Sequence, residues 1–179
     1  MLSGERVVLR ALQRDEVEVV AAWEQVPETH RQADDTPWVP RTTAQVLKDY
    51  DEGKAFHTDR KQVFFVVAVD GEPVGGISLW GIDTHNRKAH LGITTAPRGR
   101  GHGTDAIRVL LHYAFADRGL HRVQLEVLAD NAPAIACYRR AGFVEEGRTR
   151  DDSWVAGRFV DGLVMGVLST DPGRRTHPS

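Results

Sequence analysis

The chain predicts a single α/β domain: a mixed central β-sheet of about seven strands, mostly antiparallel, flanked by about four helices. Three observations carry this expectation. Apolar, β-branched runs alternate along the chain with segments of helical periodicity. The pair Asp70-Gly71 separates two such runs, as in a β-hairpin. From residue 88 onward, strand, helix, strand, helix and two closing strands follow one another with no internal repeat and no linker.

Residues 5–11 (ERVVLRA) read as a first strand. Asp15 can cap a helix reaching Trp23, with Val17, Val20 and Ala21 on one face. Residues 26–42 hold three prolines and no clear period, and read as a long irregular loop of the kind that often carries function. Thr43 opens a second helix to about Ala55. Residues 63–69 and 73–80 flank the Asp70-Gly71 turn, and residues 88–95 add a further antiparallel strand through the connection 81–87. Residues 104–117 place Ile107, Leu110, Leu111, Ala114 and Phe115 at helical spacing, with Gly119 as the stop. Val123, Leu125 and Val127 alternate in a strand over 122–128. A short helix over 132–141 ends at Gly142, and two strands close around Ala156-Gly157. The domain is expected to span 1–168, with 169–179 as a flexible polar tail.

Composition narrows the function classes. With 41% hydrophobic and 27% charged residues among 179, the chain can bury a real core. A net charge of −2 argues against a general nucleic-acid binder. No apolar run approaches the roughly 20 residues of a membrane span, and the charged N-terminus does not read as a signal peptide. Cys137 is the only cysteine, which excludes an intrachain disulfide and suggests the cytoplasm. Residues 1–60 carry a net charge of −4 and residues 96–150 a net of +3. That asymmetry suits a cationic acceptor and an anionic cofactor, though solvated faces would look the same.

The most informative stretch is RGRGHGT: Arg98, Gly99, Arg100, Gly101, His102, Gly103 and Thr104. A strand precedes it and a helix follows, so it is a place to hold phosphate. Gly101, Gly103 and Ala106 satisfy the dinucleotide fingerprint, with Glu126 about 20 residues on, but a dinucleotide fold would put that motif in its first βαβ unit. A P-loop would need Gly-Lys-Ser/Thr, which is missing. The third reading uses more of the chain. Arg98-x-x-Gly101-x-Gly103 resembles the acyl-CoA diphosphate loop of the GNAT superfamily of N-acyltransferases. Residues 131–143 (NAPAIACYRRAGF) resemble the same family's second signature at Asn131, Ala134, Tyr138, Gly142 and Phe143. Over about residues 4–168 the chain resembles the bacterial RimJ/RimL ribosomal-protein acetyltransferases and their spermidine acetyltransferase relatives.

That resemblance implies a GNAT-like domain using acetyl-CoA as co-substrate, with no metal, acting on a small or peptidic primary amine. It also implies homodimer formation. By the same resemblance, the backbone of Ile93, Thr94 and Thr95 meets the pantetheine arm, Asn131 lies on the pantetheine side, and Tyr138 protonates the leaving thiolate. Relatives often carry a Glu on the strand before the loop; here the segment is Ala89-His90-Leu91-Gly92, which offers His90 as general base or as a strand histidine bonded at the sheet surface. His85 is a second candidate. Trp38, Asp34, Asp35 and Trp80 are acceptor-side candidates, since aromatic walls and carboxylates suit an amine-bearing cation. Cys137 reads as a packed residue rather than a nucleophile, and the histidines show no metal-ligand spacing. A module of this fold that binds acyl-CoA without turnover is the alternative function.

Overall fold

Val63–Val69 alternates strictly, with Val63 and Val67 packing to one side and Val66 and Ala68 to the other. A sheet apolar on both faces needs cover on both, and the helices divide accordingly. The computed structural model describes residues 1–27, 30, 37–95 and 100–171. Its eight strands are β1 (Leu2–Ser3), β2 (Val8–Arg10), β3 (Val63–Val69), β4 (Glu72–Asp83), β5 (Lys88–Thr95), β6 (Arg122–Leu128), β7 (Val144–Val155) and β8 (Arg158–Leu168). They lie in the order β1-β2-β3-β4-β5-β6-β8-β7. Every pairing is antiparallel except β5 with β6.

One face carries α1 (Val17–Glu24) and α2 (Thr43–Asp51), whose Val17, Val20, Ala21 and Val46 pack on Val66 and Ala68. The other carries α3 (His102–His112) and α4 (Ala132–Arg140) over the larger core, where Leu9, Ile77, Leu79, Ile107, Leu110, Leu125 and Met165 are fully buried. Burying each such side chain contributes roughly 1.5–3 kcal/mol.

The expected elements are present, with instructive shifts. Of the strand expected over 5–11, residues 8–10 form β2, while Gly4 to Val7 make a tight turn, Gly4 N–H to Val7 O at 2.7 Å, that leads back to the two-residue β1 and raises the strand count to eight. Asp15 does not cap the first helix. A short 3-10 turn, Arg14–Glu16, precedes it, and the Glu16 carboxylate accepts the Gln13 N–H at 3.0 Å. Thr43 opens α2 as expected, with Thr42 as the cap, its hydroxyl accepting the Gln45 N–H, and the helix ends at Asp51 rather than near Ala55. The helix expected over 104–117 begins at His102 and finishes in a π turn, Tyr113–Asp117. The two hairpin turns marked in the sequence hold left-handed residues, Asp70-Gly71 at φ +51° and +88° and Ala156-Gly157 at +48° and +85°. Residues 172–179 of the expected tail lie outside the described residues.

Candidate active site

The one parallel pairing is short. β5 meets β6 only at Lys88–Arg122, Ala89–Val123 and His90–Gln124. Beyond these, β5 runs on to Thr95 along β4, while β6 runs on to Leu128 along β8. The two strands therefore diverge from His90 onward, and the backbone edges of residues 91–95 and 125–128 face an opening rather than each other. A backbone edge left unpaired demands a partner, and an extended amide-bearing chain can supply one. Ile93, Thr94 and the backbone of Thr95 lie on that edge.

α3 starts at the mouth of this opening. Its N-cap is Gly101 at φ +81°, a conformation that any side chain would strain, and Gly101 O accepts the Asp105 N–H at 3.1 Å. Arg100 is exposed just before it, and His102, Gly103 and Thr104 form its first turn. The unpaired N–H groups of that turn and the helix dipole favour an anion. Arg98 and Gly99 lie outside the described residues.

α4 packs beside α3 on the same face. Asn131 is its N-cap, the side-chain oxygen accepting the Ala134 N–H at 3.3 Å, so the Asn-x-x-Ala pair of the signature starts the helix that bears Tyr138. Tyr138 is 9% exposed and sits edge-on to Phe143 at 5.9 Å. Its hydroxyl has no hydrogen-bond partner among the described residues. Burial, with a smaller contribution from Cys137, pushes its pKa up to about 12, so it stays protonated at neutral pH.

The opposite face of the sheet holds a cleft of about 480 Å³ lined by Trp23, Trp38, Arg41, Phe64, Gly76, Ser78, Trp80, Gly92, Ile93 and Thr94, among others. Trp38 and Trp80 are thus brought together, and Trp23, Phe64 and Arg41 join them unforeseen. Trp23 and Phe64 are aromatic residues in elements the sequence already marks, which was signal enough; Arg41 sits at the end of a segment without period. Asp34 and Asp35 lie outside the described residues. His85 is in the Asp83–Asn86 turn, its N–H donated to Asp83 at 2.9 Å, and is not part of the cleft lining.

His90 stands behind the cleft wall. Its ring stacks on Trp80 with centroids 4.3 Å apart and planes 22° apart. Its Nε2 lies 3.3 Å from the Gln124 amide nitrogen, while the Gln124 oxygen accepts the Arg122 Nε–H at 2.9 Å and Arg122 pairs with Glu146. That chain directs the Gln124 NH₂ at His90, making Nε2 the acceptor and leaving the ring proton on Nδ1. Burial holds the His90 pKa below its ordinary 6.5 against the opposing pull of Glu126. Among the described residues no group of His, Cys, Asp and Glu could hold a metal ion, and no helix is long and apolar enough to cross a membrane.

Strand β5 has an opening along its edge and an aromatic cleft on its face. With a glycine-started helix and a buried tyrosine beside it, this defines an N-acyltransferase that draws its acyl group from a coenzyme A thioester. Residues 6–144 match the family model described as an acetyltransferase (GNAT) domain, and the chain belongs to the GNAT acetyltransferase family. It is 29% identical to a spermidine N(1)-acetyltransferase of Escherichia coli K12 over 170 residues, 94% of this chain and 89% of that one. A Vibrio cholerae spermidine N-acetyltransferase solved with CoA and spermine superposes with a TM-score of 0.81 at 26% identity, covering 91% of this chain and 95% of that one. RimJ of Mycobacterium smegmatis, solved with CoA-disulfide, shares the fold with a TM-score of 0.79 at 22% identity, covering 98% of this chain and 90% of that one.

Proposed function

We propose that this enzyme transfers an acetyl group from acetyl-CoA to a primary amine (a polyamine, a protein N-terminus or an amine-bearing metabolite) by direct attack on the thioester, in the cytoplasm. The observation that carries the reading is the double use of β5. Ile93 and Thr94 border the opening along their edge and the aromatic cleft on their face, so an amine in the cleft and a thioester in the opening meet at one strand.

The ammonium form of the acceptor must lose two protons to become an amide. One ends on the departing sulfur and the other leaves the site. Tyr138 is the proposed donor to sulfur: neutral across the working range, it meets charge as the C–S bond breaks. A backbone N–H on the free edge of β5 polarises the carbonyl as its oxygen gains charge. His90 is the proposed acceptor of the amine's proton, its lone pair released when the Gln124 contact opens. The start of α3, with Arg98 and Gly99 before it, takes the diphosphate; Asn131 flanks the pantetheine arm. Trp38, Trp80, Asp34 and Asp35 take the acceptor, and the likeness to spermidine enzymes supports testing polyamines first.

The test is thiol release from acetyl-CoA across polyamines, aminoglycosides, amino acids and peptides with free N-termini, with CoA binding measured in parallel. Release with one amine class supports the reading and names the acceptor. Tight CoA binding with no release from any acyl-CoA overturns it.

A further inference from the structure

We propose that Arg6 is a cofactor-binding residue, an anion contact that the N-terminal hairpin lends to the diphosphate at the start of α3. This rests on the acetyl-CoA reading above and adds a residue, far away in the chain, that no loop motif contains. The side chain of Arg6 lies over Gly101: a Cβ placed there would sit 3.6 Å from Arg6 Cδ and 3.7 Å from its Nε. Gly101 is the N-cap of α3, so Arg6 Cδ and Nε stand beside the helix start, whose unpaired N–H groups favour an anion.

The position is built rather than accidental. The buried Asp105 carboxylate, in the first turn of α3, accepts three backbone N–H groups of the hairpin turn: Glu5 at 3.3 Å, Arg6 at 2.7 Å and Val7 at 3.1 Å. Gly4 completes the fit, since a Cβ there would come within 2.5 Å of Asp105 Oδ2. The turn is thus locked to the helix by its backbone, and the Arg6 side chain is left to project over the helix start.

Charge points the same way. Arg10 and Arg14, the next two arginines, are paired with Glu16 and Asp51. Arg6 has no carboxylate partner among the described residues. At the same helix start, His102 Nδ1 is buried without a hydrogen-bond partner. An exposed cation beside a helix N-terminus and lacking a carboxylate is matched by a diphosphate, to which a guanidinium makes charge-assisted hydrogen bonds.

The experiment is calorimetric titration of wild type, Arg6→Ala and Arg6→Lys with CoA, with 3′-dephospho-CoA and with pantetheine. Arg6→Ala is expected to weaken CoA and dephospho-CoA alike by about tenfold, with Arg6→Lys recovering part of the loss and pantetheine binding unaltered. Equal affinity of Arg6→Ala and wild type for CoA overturns the proposal. So does a loss confined to CoA, which would put Arg6 on the 3′-phosphate. Failure of the wild type to bind CoA would instead remove the acetyl-CoA reading beneath it. Because Asp105 holds the turn through backbone N–H groups, an unchanged melting temperature in Arg6→Ala separates lost contact from lost fold.

Discussion

Thr104 Oγ1 lies 3.3 Å from Cys137 Sγ, tying the first turn of α3 to the residue before Tyr138 on α4. The start of α3 and the proposed acid are thereby tied to each other through one half-buried polar contact. Thr104→Val should cost about 1 kcal/mol and lower the melting temperature by about 2–4 °C. Cys137→Ser, which keeps a hydroxyl at that point, should retain full turnover. A loss comparable with that of a Tyr138 variant would make the thiol a participant in the chemistry.

Tyr138→Phe should keep CoA affinity and lower kcat at least about tenfold, the ordinary scale of a lost proton donor. The pH dependence sharpens this. With its pKa pushed up to about 12, Tyr138 keeps its proton through pH 10, so no basic limb in that range belongs to it. Its folded-state value lies above the unfolded value near 10. Its contribution to stability is therefore fully present below pH 10 and is lost as pH rises toward 12. Between pH 9 and 11.5 the denaturant midpoint of wild type should fall relative to that of Tyr138→Phe.

For His90 the sign reverses. Burial lowers its pKa, so the folded protein binds this proton less readily than the unfolded chain, and the stability difference appears as pH falls through 6.5. The acidic limb of kcat/KM should lie below pH 6.5 and vanish in His90→Ala. Gln124→Ala removes the N–H that holds the neutral ring, and should move that limb upward toward 6.5. A profile unchanged by both substitutions would remove His90 as the base.

Trp80 is 47% exposed yet covers the His90 ring. Trp80→Ala should raise KM for the acceptor and leave KM for acetyl-CoA unchanged, because Trp80 lines the cleft and not the free edge of β5. It should also shift the acidic limb upward by hydrating His90. Steady-state kinetics at two pH values reads both effects.

Asp105 is a structural prediction of larger size. Removing a buried carboxylate that takes three backbone N–H groups should cost about 3 kcal/mol. Thermal melts of Asp105→Ala should show a drop of about 6–12 °C.

Much of this molecule was legible from local pattern. The β5, β6, β8 and hairpin-turn positions follow from alternation and from Asp70-Gly71 and Ala156-Gly157. Gly101 and Asn131, one from each motif, became the N-caps of α3 and α4. What local pattern could not carry was register and distance. Whether residues 5–7 form a strand or a turn is decided by Asp105, 98 to 100 positions away. The fate of His90 depends on Trp80 across β4 and on Gln124 across β6, partners that only the pairing of three strands brings together. Arg6, in the first few residues, gave no sign that it would meet Gly101.

The divergence of β5 from β6 leaves this part of the sheet anchored at three residue pairs and open beyond them. Cofactor binding then resembles the last step of folding as much as the capture of a reagent. The amide hydrogens of residues 91–95 that face the gap should exchange rapidly in the free enzyme and slow when CoA fills it. At a ligand concentration 100 times its dissociation constant, the whole fold should gain about 2.7 kcal/mol. The cell's supply of CoA thioester would thus set how long each copy of the enzyme lasts, as well as how fast it works.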